Sequence, residues 1–180
     1  IKIFVCCTEQ SGENICSNIL SRLDLDKYQV DGVCGKQSEK YISNKLYDLS
    51  EFKSLGFFEI LLSISKYIKM ITRLKNYIIN NEYDLIITID SPDFNFNLVN
   101  KLRKLNYKKK IIHIVAPTVW AWRSYRAKKF ANIFDEIFLL FNFEKKYFNF
   151  KNLKKTFIGH PIFHIKKREN KNNYKYIFFL

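Results

Sequence analysis

Residues 84–98 constrain the possible folds of this chain more than any other stretch. Leu85, Ile86, Ile87, Thr88 and Ile89 form a short apolar, largely β-branched run that begins after Asp84 and stops abruptly at Asp90. A run of this kind, bounded by acids, reads as a strand buried on both faces of a parallel sheet. Pro92 ends the ladder, and Leu98, Leu102 and Leu105 follow at helical spacing, so Ser91, Asp93, Asn95 and Asn97 belong to a tight strand-to-helix turn. Ligands of open α/β sheets bind beyond the carboxyl ends of the strands, which places Asp90 at the edge where a ligand would sit. The plainer alternative is that Asp90 or Asp93 caps the next helix.

The same alternation recurs along the chain. Residues 1–6 read as a first strand, followed by Thr8 to Asn14 and a helix carried by Ile15, Ile19 and Leu23. The turn has a single glycine, Gly12. It is a generic helix N-terminus for an anion or sugar hydroxyl, with Ser11 either a cap or a ligand contact, and is no dinucleotide fingerprint. A second strand spans 30–35, and residues 46–49 form a weaker one. A helix running to about Asn80 carries the stripe Ile60, Ile64, Tyr67, Ile68, Ile71, Leu74 and Ile78. Phe57, Phe58, Leu61 and Leu62, with Lys66 and Lys69 behind them, either join the core or dip into an anionic membrane surface.

Further strands are expected at 111–115, 135–141 and 154–158, with helices at 124–131 and from Asn142 onward. Trp120 and Trp122 directly follow one strand. Each indole needs burial and a partner for its N–H, so they either wedge the next helix against the sheet or line the edge. Arg123 and Arg126 could hold a phosphate or simply be solvated. His160, between Gly159 and Pro161, falls on the same edge as Asp90, as a structural or a site residue. The expected fold is therefore α/β, a Rossmann-like parallel sheet with helices on both faces and its unusual residues gathered at one edge.

Composition narrows the class. With 180 residues and 47% apolar content the chain can bury one sizeable core. No apolar run approaches the roughly 18 residues of a membrane span, and no basic segment precedes a hydrophobic one, so we expect a soluble or membrane-peripheral chain made without a secretory signal. Cys6, Cys7, Cys16 and Cys34 lack paired metal-ligand spacing and are expected as buried, reduced thiols. Residues 1–100 hold 11 Lys+Arg against 13 Asp+Glu, and residues 101–180 hold 20 against 4. A basic half suits an anionic partner. Yet 25 of the 31 cations are Lys, amid abundant Asn, Ile, Phe and Tyr, the mixture that AT-rich codons produce, so no nucleic-acid partner is expected.

Several strings in this order resemble the N-terminal half of the lipid-A-disaccharide synthases, inverting glycosyltransferases built of two Rossmann-like domains. They are Glu9-Gln10-Ser11-Gly12, Leu55-Gly56-Phe57-Phe58-Glu59-Ile60-Leu61, Asp90-Ser91-Pro92-Asp93-Phe94-Asn95, Val119-Trp120-Ala121-Trp122-Arg123 with Arg126, and Phe143-Glu144 followed by Ile158-Gly159-His160-Pro161. The resemblance divides the chain into an acceptor-side domain over 1–163 and, over 164–180, a linker and first strand of a C-terminal UDP-sugar domain that these residues do not include. It implies transfer of a diacylglucosamine unit from UDP-2,3-diacylglucosamine to 2,3-diacylglucosamine 1-phosphate, on the cytoplasmic side of the inner membrane. Asp90 is the first candidate for the catalytic base and Glu9 the second. Ser11, Gly12, Asn95, Trp120, Arg123, Glu144 and His160 are candidate substrate contacts, with Phe57, Phe58, Leu61 and Leu62 for membrane or acyl chains.

No metal or cofactor is implied, and the full-length form could be a homodimer. The first loop departs from the family pattern, with Thr8 in place of glycine and Glu13 in place of aspartate, and Asn142 replaces a proline. If the glycine served a positive φ, Thr8 would be strained there. The rival reading is a non-catalytic remnant, a basic module binding membrane or nucleic acid nonspecifically.

Overall fold

The computed structural model describes residues 1–52, 60–121 and 123–160, without the side chains of 60–63. The strands are β1 (Lys2–Cys7), β2 (Gln29–Cys34), β3 (Asn44–Asp48), β4 (Leu85–Ile89), β5 (Lys110–Ile114), β6 (Glu136–Leu139) and β7 (Lys154–Phe157). They form one sheet in the order β3-β2-β1-β4-β5-β6-β7, every neighbouring pair parallel. The chain moves outward one way from β1 and then returns to build outward the other way from β4. A doubly wound, Rossmann-like sheet results, with its order reversing between β1 and β4.

The helices are α1 (Gln10–Leu20), α2 (Ile60–Asn81), α3 (Pro92–Lys104) and α4 (Tyr125–Ala131). Because parallel crossovers are right-handed, reversing the direction of winding puts helices on opposite faces. On one face α1 buries Cys16 and Leu20 against Ile3, Val5, Cys7, Ile87 and Ile89. On the other, Ile71, Leu74 and Ile78 of α2, Leu98 and Leu102 of α3 and Phe130 of α4 cover Phe4, Cys6, Ile86, Ile111 and Ile137. Alternate residues of β1 thus enter different cores, as the period of two requires. All four cysteines are buried and free.

Several expectations are corrected. The helix α1 starts at Gln10, with Glu9 as its N-cap residue and no side-chain cap bond, so Ser11 lies within the first turn and is no cap. Neither Asp90 nor Asp93 caps α3; its N-cap residue is Ser91, also without a side-chain cap bond. On α2 the stripe breaks: Ile64 and Ile68 are 51% and 52% exposed. The segment Asn142–Lys146 is a 3-10 turn, closed by the buried Glu144 carboxylate accepting the Phe141 N–H at 2.9 Å, which leaves no need for a longer helix. Phe57, Phe58, Trp122 and residues 161–180 lie outside the described residues, as do the side chains of Leu61 and Leu62. Among the described residues no helix is long and apolar enough to cross a membrane.

Part of the basic half serves the sheet itself. Glu136, 3% exposed in β6, bonds Lys110 of β5 and Lys154 of β7 at 3.0 Å each, and accepts the Thr156 hydroxyl. Burial opposes ionisation of Glu136, but its three partners outweigh it and hold the carboxyl below its ordinary range.

Candidate functional site

The strand order reverses where the carboxyl ends of β1 and β4 lie side by side, with Cys7 paired to Ile89. Beyond those ends the backbone is strained. Asp90 and Ser91 take φ of 56° and 43°, and Val115, at the end of β5, takes 74°. Left-handed conformations are unusual for non-glycine residues and most costly for a β-branched one, and such strain clusters at functional sites. Three strained residues at adjacent strand ends single out this edge.

Asp90 is held from several sides. Its Oδ2 accepts the Ser11 hydroxyl from α1, and its Oδ1 accepts the Ser91 N–H at 3.0 Å. Its main-chain carbonyl accepts from Nδ2 of Asn95 at 2.7 Å, and its N–H donates to the Ile114 carbonyl at 2.9 Å. Asn95 is fully buried and fixes the turn that presents Asp90, and its Oδ1 finds no partner among the described residues. The Ser91 hydroxyl is buried and finds no partner among the described residues.

Gly12 lets α1 approach this turn. A Cβ there would stand 3.1 Å from Cys7 Sγ, 3.2 Å from Asp90 Cβ and 3.2 Å from Ile89 Cγ2. Gly12 is therefore a packing residue, without direct access to a ligand. Gly12→Val is expected to lower stability by about 1–3 kcal/mol through overpacking. Urea unfolding checks this as a lower midpoint at unchanged slope.

The departures in the first loop have local explanations. Thr8 is not among the residues with positive φ, so the side chain costs no backbone strain. Glu13 turns away from Asp90 and, at 1% exposure, accepts the N–H groups of Gly35 (2.8 Å) and Ser38 (2.9 Å). It ties α1 to the loop after β2. Glu13, Cys7 and Cys16 bring potential metal ligands within 4.8 Å. Both carboxylate oxygens of Glu13 already serve amides, however. A hydrogen bond with Cys16, with burial second, raises the Cys7 thiol far above its ordinary range. A protonated, enclosed thiol is a poor metal ligand.

Glu9, at the N-cap of α1, leaves its side chain exposed over a cleft of about 470 Å³. The lining combines the polar Thr8, Glu9, Ser91, Asp93 and Asn97 with Phe52 and, from α2 and α3, Tyr67, Ile71 and Phe94. Burial, helped by the nearby Glu9 carboxylate, raises the Tyr67 phenol above its ordinary value. Periodicity marks Ile71 and Tyr67 as core, so this cleft was not legible from the sequence.

The remaining candidates gather further along the edge. Trp120 is 45% exposed and meets Phe143 edge-on at 5.5 Å. It does not wedge a helix. Phe141 stacks on Phe143 at 5.6 Å and on His160 at 5.8 Å, so an aromatic row follows the ends of β5, β6 and β7. Glu144 is withdrawn into its own turn, where it accepts the Phe141 N–H, and burial raises its carboxyl above the ordinary range. Arg123, with φ 57°, Arg126 and Lys129 line a small pocket of about 120 Å³ with Asp93, and Arg126 pairs with the Asp93 carboxylate.

Comparison with known proteins bears on this geometry. The family described as Lipid-A-disaccharide synthetase matches residues 3–178. The chain belongs to the lipid-A-disaccharide synthetase family. A lipid-A-disaccharide synthase of Rickettsia felis is 42% identical over 163 residues, covering 89% of this chain and 42% of the relative. The Rickettsia conorii synthase is 40% identical over 178 residues, covering 90% of this chain and 40% of that protein. The chain thus spans about two fifths of the length of these family members. A crystal structure of a putative UDP-N-acetylglucosamine 2-epimerase from Listeria monocytogenes superposes with a TM-score of 0.57 at 12% identity, over 82% of this chain and 41% of that one. At that identity the likeness speaks for the Rossmann-like fold alone. In this family member the Asp90-to-Asn95 string is the strained turn, and the Glu9-to-Gly12 string is the helix start packed against it.

Proposed function

We propose that residues 1–163 are the acceptor-binding half of a lipid-A-disaccharide synthase. Such an enzyme joins a diacylglucosamine unit from UDP-2,3-diacylglucosamine to 2,3-diacylglucosamine 1-phosphate. The observation that carries this reading is the convergence of Glu9, Ser11 and a doubly strained Asp90-Ser91 turn at the point where the sheet order reverses.

In this reading Asp90 takes the proton from the acceptor hydroxyl as its oxygen attacks the anomeric carbon. The new C–O bond forms on the face opposite the departing UDP. The electron pair of the broken bond leaves with the UDP, and the anomeric centre inverts. Ser11 and Asn95 hold Asp90 in place, while Glu9 is the second candidate for the base. Arg123 with Lys129 is a suitable seat for a phosphate, and Trp120 and His160 border the side facing the donor.

No sequence-specific nucleic-acid contact is needed to explain the basic half. Anionic lipid headgroups at the inner membrane suit it, with Phe57, Phe58, Leu61 and Leu62 as the apolar anchor and peripheral attachment as the consequence. A homodimer is expected of the full-length form. The reading is tested by transfer itself. A full-length enzyme carrying these residues should form the β-linked disaccharide from the two substrates, and a folded enzyme that forms none would overturn it.

A further inference from the structure

On the reading that this edge takes an acylated acceptor, we propose that the cleft between α2 and α3 seats one acyl chain, with Phe94 limiting how much of it is buried. Three observations support this. First, the lining is amphipathic in the required sense. Thr8, Glu9, Ser91, Asp93 and Asn97 bring hydroxyl, amide and carboxylate groups to the cleft, and Phe52, Tyr67, Ile71 and Phe94 bring apolar surface to it.

Second, the apolar end is built as a wall. Phe94 meets Phe52 edge-on at 5.2 Å and Tyr67 at 5.9 Å. The Tyr67 hydroxyl, which would otherwise put a polar group there, donates to the Phe52 carbonyl at 2.7 Å. Phe94 and Tyr67, both half-buried, keep part of their ring surface open to hydrocarbon.

Third, among the described residues the lining contains neither Lys nor Arg, although the chain carries a net charge of +14. A phosphate or nucleotide would meet two carboxylates there, and Arg126, the cation beside Asp93, is already engaged by that carboxylate. A neutral sugar with a hydrocarbon tail meets no such penalty. Ile68 and Ile64 lie three and seven residues before Ile71 on α2, and their exposure continues the apolar surface along the helix. This accounts for the two stripe residues, Ile64 and Ile68, that the core leaves exposed.

The experiment is a calorimetric titration of the chain with two ligand series of stepwise increasing chain length, 2,3-diacylglucosamine 1-phosphates and monomeric n-alkyl glucosides. Wild type should bind about fourfold tighter per added methylene up to a limiting length, then no tighter. Phe94→Ala should move that limit to longer chains and Phe94→Trp to shorter ones. A merely structural role for Phe94 would weaken both variants alike at every length. Acceptor binding with a limit that neither variant moves would overturn the cleft assignment and leave the proposed function standing. No acceptor binding, with a length limit for alkyl glucosides that shifts oppositely in the two variants, would do the reverse. No binding of either series would overturn both.

Discussion

Asp90→Asn, in a full-length enzyme carrying these residues, is expected to lower kcat for disaccharide formation by about 10²–10⁴-fold, the range of a general base. Fold and acceptor affinity should change little. Asparagine keeps an oxygen for the Ser91 N–H and leaves the Asn95 bond to the main-chain carbonyl untouched. It is also among the non-glycine residues that best tolerate the left-handed conformation Asp90 adopts at φ 56°. The substitution therefore removes the proton acceptor with little other disturbance. Steady-state kinetics with circular dichroism as the fold control measures it. Near-normal turnover in Asp90→Asn, with a loss of this size in Glu9→Gln, would transfer the role of base to Glu9.

The second large effect concerns acid stability. His113 lies in the middle of the sheet on β5, fully buried, with Nδ1 against the Thr88 hydroxyl at 2.8 Å. Phe130 and Phe134 pack on the ring, and Nε2 has no partner among the described residues. Burial pushes the imidazole down to about 3, outweighing the opposing effect of a backbone bond at Val115. The unfolded chain binds this proton below about pH 6.5, whereas the folded chain resists it until about pH 3. Between those values the unfolded state holds more protons, so stability falls as pH falls, by about 1.4 kcal/mol per unit.

His113→Leu should remove this limb at little cost at pH 7.5, since the Thr88 hydroxyl also reaches the Ile112 carbonyl. The paired carboxyls Asp48 and Glu136 are both lowered and act in the same sense, but only as pH falls through the ordinary carboxylate range. Glu144, raised by burial, acts in the opposite sense, so it is the difference between wild-type and His113→Leu urea midpoints from pH 4.5 to 6.5 that isolates the histidine. Parallel slopes for wild type and His113→Leu would contradict the account.

The elements that announced themselves in sequence were those in which one physical signal dominates. The run before Asp90 is β-branched, short and fenced by acids, and it is strand β4 residue for residue. The break in the α2 stripe follows position along the helix. Ile64 heads within about 20° of Ile71, seven residues being almost two full turns, so heading does not separate them. Burial begins at Met70, and the described side chains before it on α2 are exposed or half-buried. Ser11 looked like a cap because a hydroxyl beside a helix start usually is one; here the helix begins earlier, and the hydroxyl crosses to Asp90.

Val115 was beyond sequence reasoning, because a β-branched residue argues against the left-handed conformation that tertiary packing imposes on it. His113 likewise carries no local mark of its burial. The candidate site was legible as a set of strand ends. Its division into an Asp90 corner, an aromatic row and a cleft that joins carboxylates to aromatic rings required the topology.

The central claim is that this edge binds the lipid acceptor. Calorimetric titration of the folded chain with 2,3-diacylglucosamine 1-phosphate, and separately with UDP, tests it most directly. The account predicts saturable acceptor binding, weakened when Gly12→Val displaces α1 from the Asp90 turn, with UDP bound weakly or not at all. Tight UDP binding together with indifference to the acceptor, in a chain whose circular dichroism shows it folded, would contradict it.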